Sequence, residues 1–325
     1  MLVITNSDAG TADREALDAA LDVLRQHGEV EVCATSSPGE LDSALPTLGD
    51  RRLVVIGGDG SIHAVIGALR RNSLLAGAEV AVVPLGTGND FARTLALPLD
   101  PTEAALVAAT GELHPADVVI DDQGEVTVNS VHVGAGADAG AKGARWKERL
   151  GAVGFGKVNL GKLGYPIGAL QTALKPPALR LRVEVDGEVV MDIDHHTLMV
   201  ALGNGASVGG GTQLTPDANP HDGLIDVMVA TPVGALARVA YALRLPFGRH
   251  EDHADVFIVR GKEVRISGSA FDCNSDGEID GPVRDRSWRV LSSAYTIVRA
   301  PREDPDATEL NESEPDESEH RASGN

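Results

Sequence analysis

Val54-Val55-Ile56-Gly57-Gly58-Asp59-Gly60-Ser61-Ile62-His63 is the stretch from which the fold can be read. An apolar run beginning at Leu53 empties into two glycines, an aspartate and a third glycine, and a helical pattern follows through Ile62, Val65, Ile66 and Leu69. That order describes a buried parallel strand turning into a helix N-terminus. Backbone N–H groups at such a turn can approach phosphate oxygens closely, and the helix dipole favours an anion there. The stretch lacks the lysine of a Walker loop and is not G-x-G-x-x-G, so neither nucleotide motif accounts for it. Tight packing alone would explain one glycine. An aspartate flanked by three of them points to a phosphate site, with Gly58 and Gly60 expected to allow close approach and any positive φ the turn requires.

Working outward, Ala81-Val82-Val83-Pro84-Leu85 reads as the next strand. It opens into Gly86-Thr87-Gly88-Asn89-Asp90-Phe91-Ala92-Arg93, a second glycine turn carrying a hydroxyl, an amide and a carboxylate. The N-terminus supplies a third turn: strand Leu2-Val3-Ile4, then Asn6-Ser7-Asp8-Ala9-Gly10, then a helix from Arg14 to Gln26. In an open α/β sheet all three turns lie at the carboxyl ends of the strands, where ligands bind. Strands are expected near 2–5, 30–34, 53–56 and 80–84, and helices near 13–26, 40–48, 61–72 and 102–109. That alternation gives a parallel sheet covered on both faces. From about residue 118 short alternating strands take over: 179–185 with a hairpin turn at Asp186-Gly187, then 196–202, 224–230, 255–259, 262–267 and 294–299. This reads as a β-rich second domain.

Gly57-Gly58-Asp59-Gly60-Ser61, then Pro84-Leu85-Gly86-Thr87-Gly88-Asn89-Asp90-Phe91-Ala92, then Asp276-Gly277-Glu278, taken in this order, resemble the diacylglycerol-kinase/sphingosine-kinase catalytic family, and within it the soluble bacterial lipid kinases. The likeness spans residues 1–300. It implies an ATP-binding α/β domain over residues 1–118, like that of NAD kinases and phosphofructokinases, and a β-sandwich substrate domain over 119–291. A last strand, about 292–300, returns to the first domain. It further implies an ATP-dependent kinase acting on a lipid hydroxyl. ATP would contact Asn6, Thr35, Gly57, Gly58, Asp59, Gly60, Ser61, Ile62, His63, Gly86, Thr87, Asn89 and Asp90, and a catalytic Mg²⁺ would lie near Asp59 and Asp90. Asp276 would take the proton from the acceptor hydroxyl, with Glu278 beside it. A structural Mg²⁺ would sit on Asp222 and the carbonyls of Asn219 and Leu224. The chain departs from its relatives at Ser7, where the family usually has Pro, and at Ser61, where it usually has Thr. The alternatives are an NAD kinase-like enzyme, which shares the Gly-Gly-Asp-Gly turn, and a catalytically inactive nucleotide-binding module. The former should carry an Asn-Glu pair after that turn, which is not seen; the latter should have lost Asp59, Thr87 or Asp276, and all three are present.

Asp276 also sits inside a decoy. Asp272, Asn274, Asp276, Gly277 and Asp280 copy the opening of an EF-hand loop, but its twelfth position is Val283 where a bidentate Glu is needed, and strand-like sequence flanks it. Calcium binding is therefore not expected. Nor do the ten histidines give metal-ligand spacing; His195, His196, His250 and His253 read as solvated loop residues.

Composition bounds the rest. A chain of 325 residues can hold two cores. Cys33 and Cys273 are too few for a disulfide framework, which suits a reducing cytoplasm. No basic segment precedes an apolar one at the start, so no signal peptide is expected, and no apolar run approaches the ~20 residues of a spanning helix. A net charge of −20 and ten aromatic residues argue against nucleic acid. Residues 301–325 hold nine acids against Arg302 and Arg321 with little to bury, which reads as a disordered tail. Residues 142–182 invert the balance, with nine Lys/Arg against Glu148 alone and Trp146, Phe155 and Tyr165 interleaved; Arg238, Arg244 and Arg249 form a smaller basic patch. Basic plus apolar surface on an acidic protein suits transient contact with an anionic membrane at its inner face, although a solvated loop or one holding ATP phosphates has the same composition. Neither the acceptor lipid nor the oligomeric state can be read from the sequence.

Overall fold

Strict alternation sorts the N-terminal strands onto two cores. Leu2, Ile4, Leu53, Val55, Val80 and Val82 face one side, and Val3, Val54, Ile56, Ala81 and Val83 the other, all of them buried. Side chains of a strand point alternately to opposite faces, so runs that are apolar throughout must be covered on both. The computed structural model, which describes residues 1–6, 11–134, 179–231 and 255–301, shows that arrangement. Strands β1 (Leu2–Asn6), β2 (Glu31–Thr35), β3 (Leu53–Gly57) and β4 (Glu79–Pro84) pair in parallel in the order β4-β3-β1-β2. Helices α1 (Thr11–Gln26), α2 (Pro38–Ala44), α3 (Asp59–Arg71), α4 (Asp90–Thr94) and α5 (Pro101–Thr110) alternate with them. Leu41 of α2 and Ile62, Val65, Ile66 and Leu69 of α3 fill the first face; Leu21 and Leu24 of α1 and Ala104, Ala105 and Ala108 of α5 fill the second.

Helix ends differ from the sequence reading where capping decides them. Helix α2 begins two residues early because Ser37 caps Glu40 N–H and Pro38 stands at the first helical position, and it ends early in a 3₁₀ turn, Leu45–Thr47, which contains Pro46. Helix α5 starts at Pro101 because Asp100 Oδ1 accepts from Thr102 and Glu103 N–H. Helix α3 starts at Asp59, so the glycine turn is already its first turn.

The chain then runs through β5 (Glu112–Asp121), β6 (Val126–Thr127), β7 (Ser130–Gly134), β8 (Leu181–Val185), β9 (Glu188–Met191), β10 (Met199–Gly203), β11 (Ser207–Val208), β12 (Thr212–Gln213), β13 (Ile225–Ala230), β14 (Val256–Gly261), β15 (Glu263–Ser275) and β16 (Glu278–Arg299). Apart from the small β11–β12 pair they extend one sheet, in the order β14-β13-β10-β7-β15-β16-β4-β3-β1-β2, with β5, β6, β8 and β9 attached at its sides. The Asp186-Gly187 hairpin forms as read, with φ of 51° and 83° at its two central residues. Val131, Val133, Val183, Leu202, Val227, Ile266 and Trp288 build the core of this lobe.

Strand β5 was not legible, since Pro115 argues against a strand. It is tolerated because that end of β5 pairs with β16 alone; the second partner, β6, joins only at Val119 and Ile120. The returning strand is the C-terminal end of β16, parallel to β4 at Thr296 and Ile297. Both β5 and β16 run unbroken from one lobe into the other, so residues 118 and 292 lie inside strands. At that crossing Asp117, buried, accepts from Ser293 N–H and Gly223 N–H, each at 2.7 Å. The basic stretch 142–178, the patch 236–250 and residues 302–325 lie outside the described residues, as do Ser7 to Gly10. Asp117→Ala would strand two backbone donors, and is expected to lower unfolding free energy by about 2–4 kcal/mol in denaturant titrations.

Candidate active site

The two glycine turns meet by direct backbone contact. A Cβ on Gly58 would stand 3.1 Å from Gly86 Cα, and one on Gly86 would stand 2.6 Å from Gly58 Cα and 2.8 Å from Asn89 Oδ1. Only glycine at both positions lets the β3 and β4 turns close together. Positive φ is not the reason: neither Gly58 nor Gly60 has it, and the left-handed residue here is Asn89, φ 53°. Asn89 stabilises its turn by accepting from Gly86 N–H at 3.0 Å and donating to Gly86 carbonyl at 2.8 Å.

Asp59 ties the turns further, its Oδ1 accepting from Phe91 N–H at 3.0 Å. Burial pushes its carboxyl above the usual range, and the nearby charges of Asp90 and Asp276 add to the rise against the opposing N–H bonds of Phe91 and Asp90. Asp90 is committed elsewhere: its two oxygens accept from Gly210 and Gly211 N–H at 2.8–3.1 Å, so it anchors the β11–β12 loop and is poorly disposed to a metal ion. Thr87 is exposed on its turn.

Beneath the turns opens a cleft of about 540 Å³, within the range of small-ligand sites. It brings together Asn6, Thr35, Gly58, Gly60 and Ser61 from the expected set. Gly60 leaves the helix N-terminus open, since a Cβ there would meet nothing within 4 Å. The Asp59 and Gly60 N–H groups at the start of α3 have no intrahelical acceptor, which suits them to phosphate oxygens, whereas Ser61 N–H donates to Gly58 carbonyl. Ile62 belongs to the core and not to the cleft: its side chain is buried, and its N–H already donates to Gly58 carbonyl. His63 also turns away from the lining. Ser36, Ser37 and Arg71 line the cleft as well, Arg71 paired to Asp42 at 3.1 Å. The Ser37-Pro38 capping pattern was the available signal for that edge.

Asp276 and Gly277 are the two central residues of the β15–β16 hairpin, with φ of 51° and 104°, so the EF-hand-like stretch is a β-hairpin. The Asp276 side chain is 2% exposed. Its Oδ1 accepts from Asn129 and Ser130 N–H, both at 2.9 Å, and its Oδ2 from Val128 N–H at 2.6 Å and His63 Nδ1 at 3.0 Å. Burial draws the His63 pKa down, but the hydrogen bond and charge of Asp276, with Glu278 and Glu125, outweigh it and leave it raised. His132, below this cradle, is pulled down to about 4 by burial and stays neutral, its Nε2 3.2 Å from Ser130 Oγ. Glu278 is exposed.

The expected structural metal site is far from this cradle in sequence and differently filled. Asp222 Oδ2 meets the Arg260 guanidinium at 2.7 Å and Oδ1 accepts from Leu224 N–H at 3.0 Å, while Asn219 carbonyl accepts from Asp222 N–H at 3.4 Å. Arg260 also pairs with buried Asp226 at 3.0 Å. The Arg260 guanidinium supplies positive charge to Asp222 here. No cluster of three or more His, Cys, Asp or Glu arranged for a metal occurs among the described residues. Both cysteines are free thiols, and burial pushes Cys273 up to about 12. His195 and His196 are exposed, as expected.

The diacylglycerol kinase catalytic domain matches residues 1–120, and the YegS C-terminal NAD kinase beta sandwich-like domain matches residues 130–299. A protein of Klebsiella pneumoniae (strain 342) named "Probable lipid kinase YegS-like" is 32% identical over 68% of this chain and 71% of its own length. One of the same name from Pseudomonas fluorescens (strain Pf0-1) is 27% identical over 90% of each chain. The chain belongs to the YegS-like lipid kinase family. In fold it is similar to a diacylglycerol kinase from Bacillus anthracis str. Sterne, with a TM-score of 0.69 and 22% identity over 92% of this chain and 96% of that one.

Gly60→Val is expected to fold and to weaken ATP binding about tenfold or more, because it closes the phosphate approach without touching the protein. Gly86→Ala should instead destabilise the fold by about 1–3 kcal/mol, because its new methyl group meets backbone. Thermal melts and calorimetric ATP titration separate the two.

Proposed function

We propose that this chain transfers the γ-phosphate of ATP to the hydroxyl of a membrane lipid such as diacylglycerol. The observation that carries the reading is the junction of cleft and cradle: one helix, α3, supplies Gly60 and Ser61 to the cleft and His63 to the carboxylate of Asp276. The phosphates rest on the Gly58–Ser61 turn, with Asn6 and Thr35 toward the remainder of the nucleotide, Asn89 bracing the second turn from within and Asp59 tying it to the first. Arg71, at the far end of α3, also lines this cleft, paired there with Asp42. A Mg²⁺ bound with the nucleotide would neutralise phosphate charge. Asp59, at the start of α3 beside the phosphate turn, would hold it. The acceptor hydroxyl enters beside Asp276 and Glu278.

No helix among the described residues is long and apolar enough to cross a membrane. In this reading the lipid is reached from the cytoplasmic side by transient contact, with the basic, aromatic-bearing stretch 142–182 leading the approach. An acidic body is otherwise repelled by anionic lipid.

Incubation with labelled ATP and a total bacterial lipid extract is expected to yield a labelled phospholipid; label on NAD or on no lipid fraction would defeat the reading. Asp276→Asn should retain ATP affinity while kcat falls about 10²-fold or more. Replacing Lys142, Arg145, Lys147 and Arg149 with Gln should weaken co-sedimentation with anionic vesicles at low salt and raise the apparent KM for vesicle-borne lipid, each charge being worth about 1 kcal/mol at the surface. Equal vesicle binding by that variant and the unmodified chain would show that this stretch is not the docking face.

A further inference from the structure

The two glycine turns gather acid: Asp59, Asp90 and Asp276 lie close enough that the charges of the last two act on the first. A nucleoside triphosphate adds more negative charge, and phosphoryl transfer spreads it over the oxygens of the group in flight. Among the described residues one guanidinium is bonded to either turn, that of Arg93, whose Nε donates to Gly88 carbonyl at 3.2 Å. Asp90 stands three residues earlier on α4, a spacing at which acid and base can pair. They do not pair here, because both Asp90 oxygens are turned to Gly210 and Gly211 N–H. Asp59 Oδ1 meets Phe91 N–H instead. The two terminal nitrogens of Arg93 therefore have no partner among the described residues, in a residue that is half-buried. A guanidinium carries five N–H groups and Nε accounts for one, so four donors are left. The stem is fixed on both sides. It runs beside the β11–β12 loop, where a Cβ on Gly211 would stand 3.7 Å from Arg93 Cδ and 3.8 Å from Nε. On its other side Gly88 separates it from Asp59: a Cβ on Gly88 would stand 3.0 Å from Asp59 Oδ2. The acid at the head of α3 and the base on α4 thus flank one glycine, with the donors held in place before any ligand arrives.

We propose that Arg93 grips the γ-phosphoryl group of ATP through its two terminal nitrogens and holds it through transfer, as a catalytic residue supplied by the second glycine turn. This rests on the phosphoryl-transfer reading given above. In the transfer the acceptor hydroxyl oxygen forms a bond to the γ-phosphorus, and the bond from that phosphorus to the β–γ bridging oxygen breaks. ADP leaves with the electron pair, and the hydroxyl proton passes to the hairpin carboxylate of Asp276. Charge in flight lies on the three remaining oxygens of the phosphoryl group. A planar fork meets two of them at once, and a guanidinium keeps its proton at any working pH. The two turns then have separate tasks. The first offers backbone N–H groups to phosphates that ATP and ADP share, whereas Arg93 meets the one phosphate that ADP lacks.

Calorimetric titration of ATP and of ADP, each with excess Mg²⁺ and without lipid, compares the unmodified chain, Arg93→Gln and Arg93→Lys, and thermal melts establish that each is folded. Arg93→Gln is expected to weaken ATP binding about tenfold and ADP binding by no more than about twofold. Arg93→Lys keeps the charge without the fork, so its ATP binding should weaken by about threefold or less. With labelled ATP and total lipid extract, kcat should fall about 10²-fold or more in Arg93→Gln and about tenfold in Arg93→Lys. Equal weakening of ATP and ADP would overturn the proposal, because it would reduce Arg93 to a brace on Gly88. Unchanged ATP affinity or unchanged kcat in folded Arg93→Gln would overturn it as well. Should Arg93→Gln not fold, Arg93→Lys decides by the same measurements, and an unchanged kcat counts against the proposal. Absence of lipid phosphorylation by the unmodified chain is a separate outcome: it defeats the kinase reading, while the comparison of ATP with ADP still decides whether Arg93 holds the γ-phosphate.

Discussion

An ionised carboxylate withdrawn from water is costly unless each oxygen finds donors, and Asp276 finds four. They come from two stretches remote from its hairpin: the backbone from Val128 to Ser130, and the helix that follows the phosphate turn. Satisfying this one charge therefore fixes the hairpin of the β-rich lobe against the helix of the nucleotide lobe. Loss of any donor would leave part of a buried charge unmet, which is why the arrangement holds at one geometry. The ring that completes the shell is also the one basic group brought from the cleft helix to this carboxylate.

The same economy of partners runs through the lobe junction. Strands β5 and β16 pass from one lobe to the other as a hydrogen-bonded pair, and Asp117 clips their bulge to the Gly223 turn. A continuous ladder transmits position where a loop would not. Nearby charges follow the rule that buried ions are paired: Arg286, 6% exposed, meets Asp121 and Asp280 at 2.5 Å, and Arg260 bridges Asp222 and Asp226.

The glycines of the two turns do different work. Gly58 and Gly86 are glycine because two backbones touch, whereas Gly60 is glycine beside empty space at a helix N-terminus. The first kind holds the turns together and the second leaves room for an anion. Sequence reading treats them alike, since both appear as one letter in one motif.

Much of the nucleotide lobe was legible because its determinants are local. Alternating apolar residues place side chains on the two faces of β1, β3 and β4, and each glycine turn that follows puts the cleft at the strand ends. The Asp-Gly pairs at 186–187 and 276–277 carry the backbone preference of a two-residue hairpin. Less was legible where a contact overrode local preference, as in β5, where one-sided pairing makes Pro115 harmless. Ile62 stands in the glycine motif yet its side chain faces the core, a placement that the letters alone do not mark. What only the tertiary structure decided is the meeting of His63 with Asp276 across 213 residues and the sealing of that carboxylate. No pattern of letters could mark it, because three of the four donors are backbone N–H groups of Val128, Asn129 and Ser130, which nearly every residue possesses and only the fold can aim.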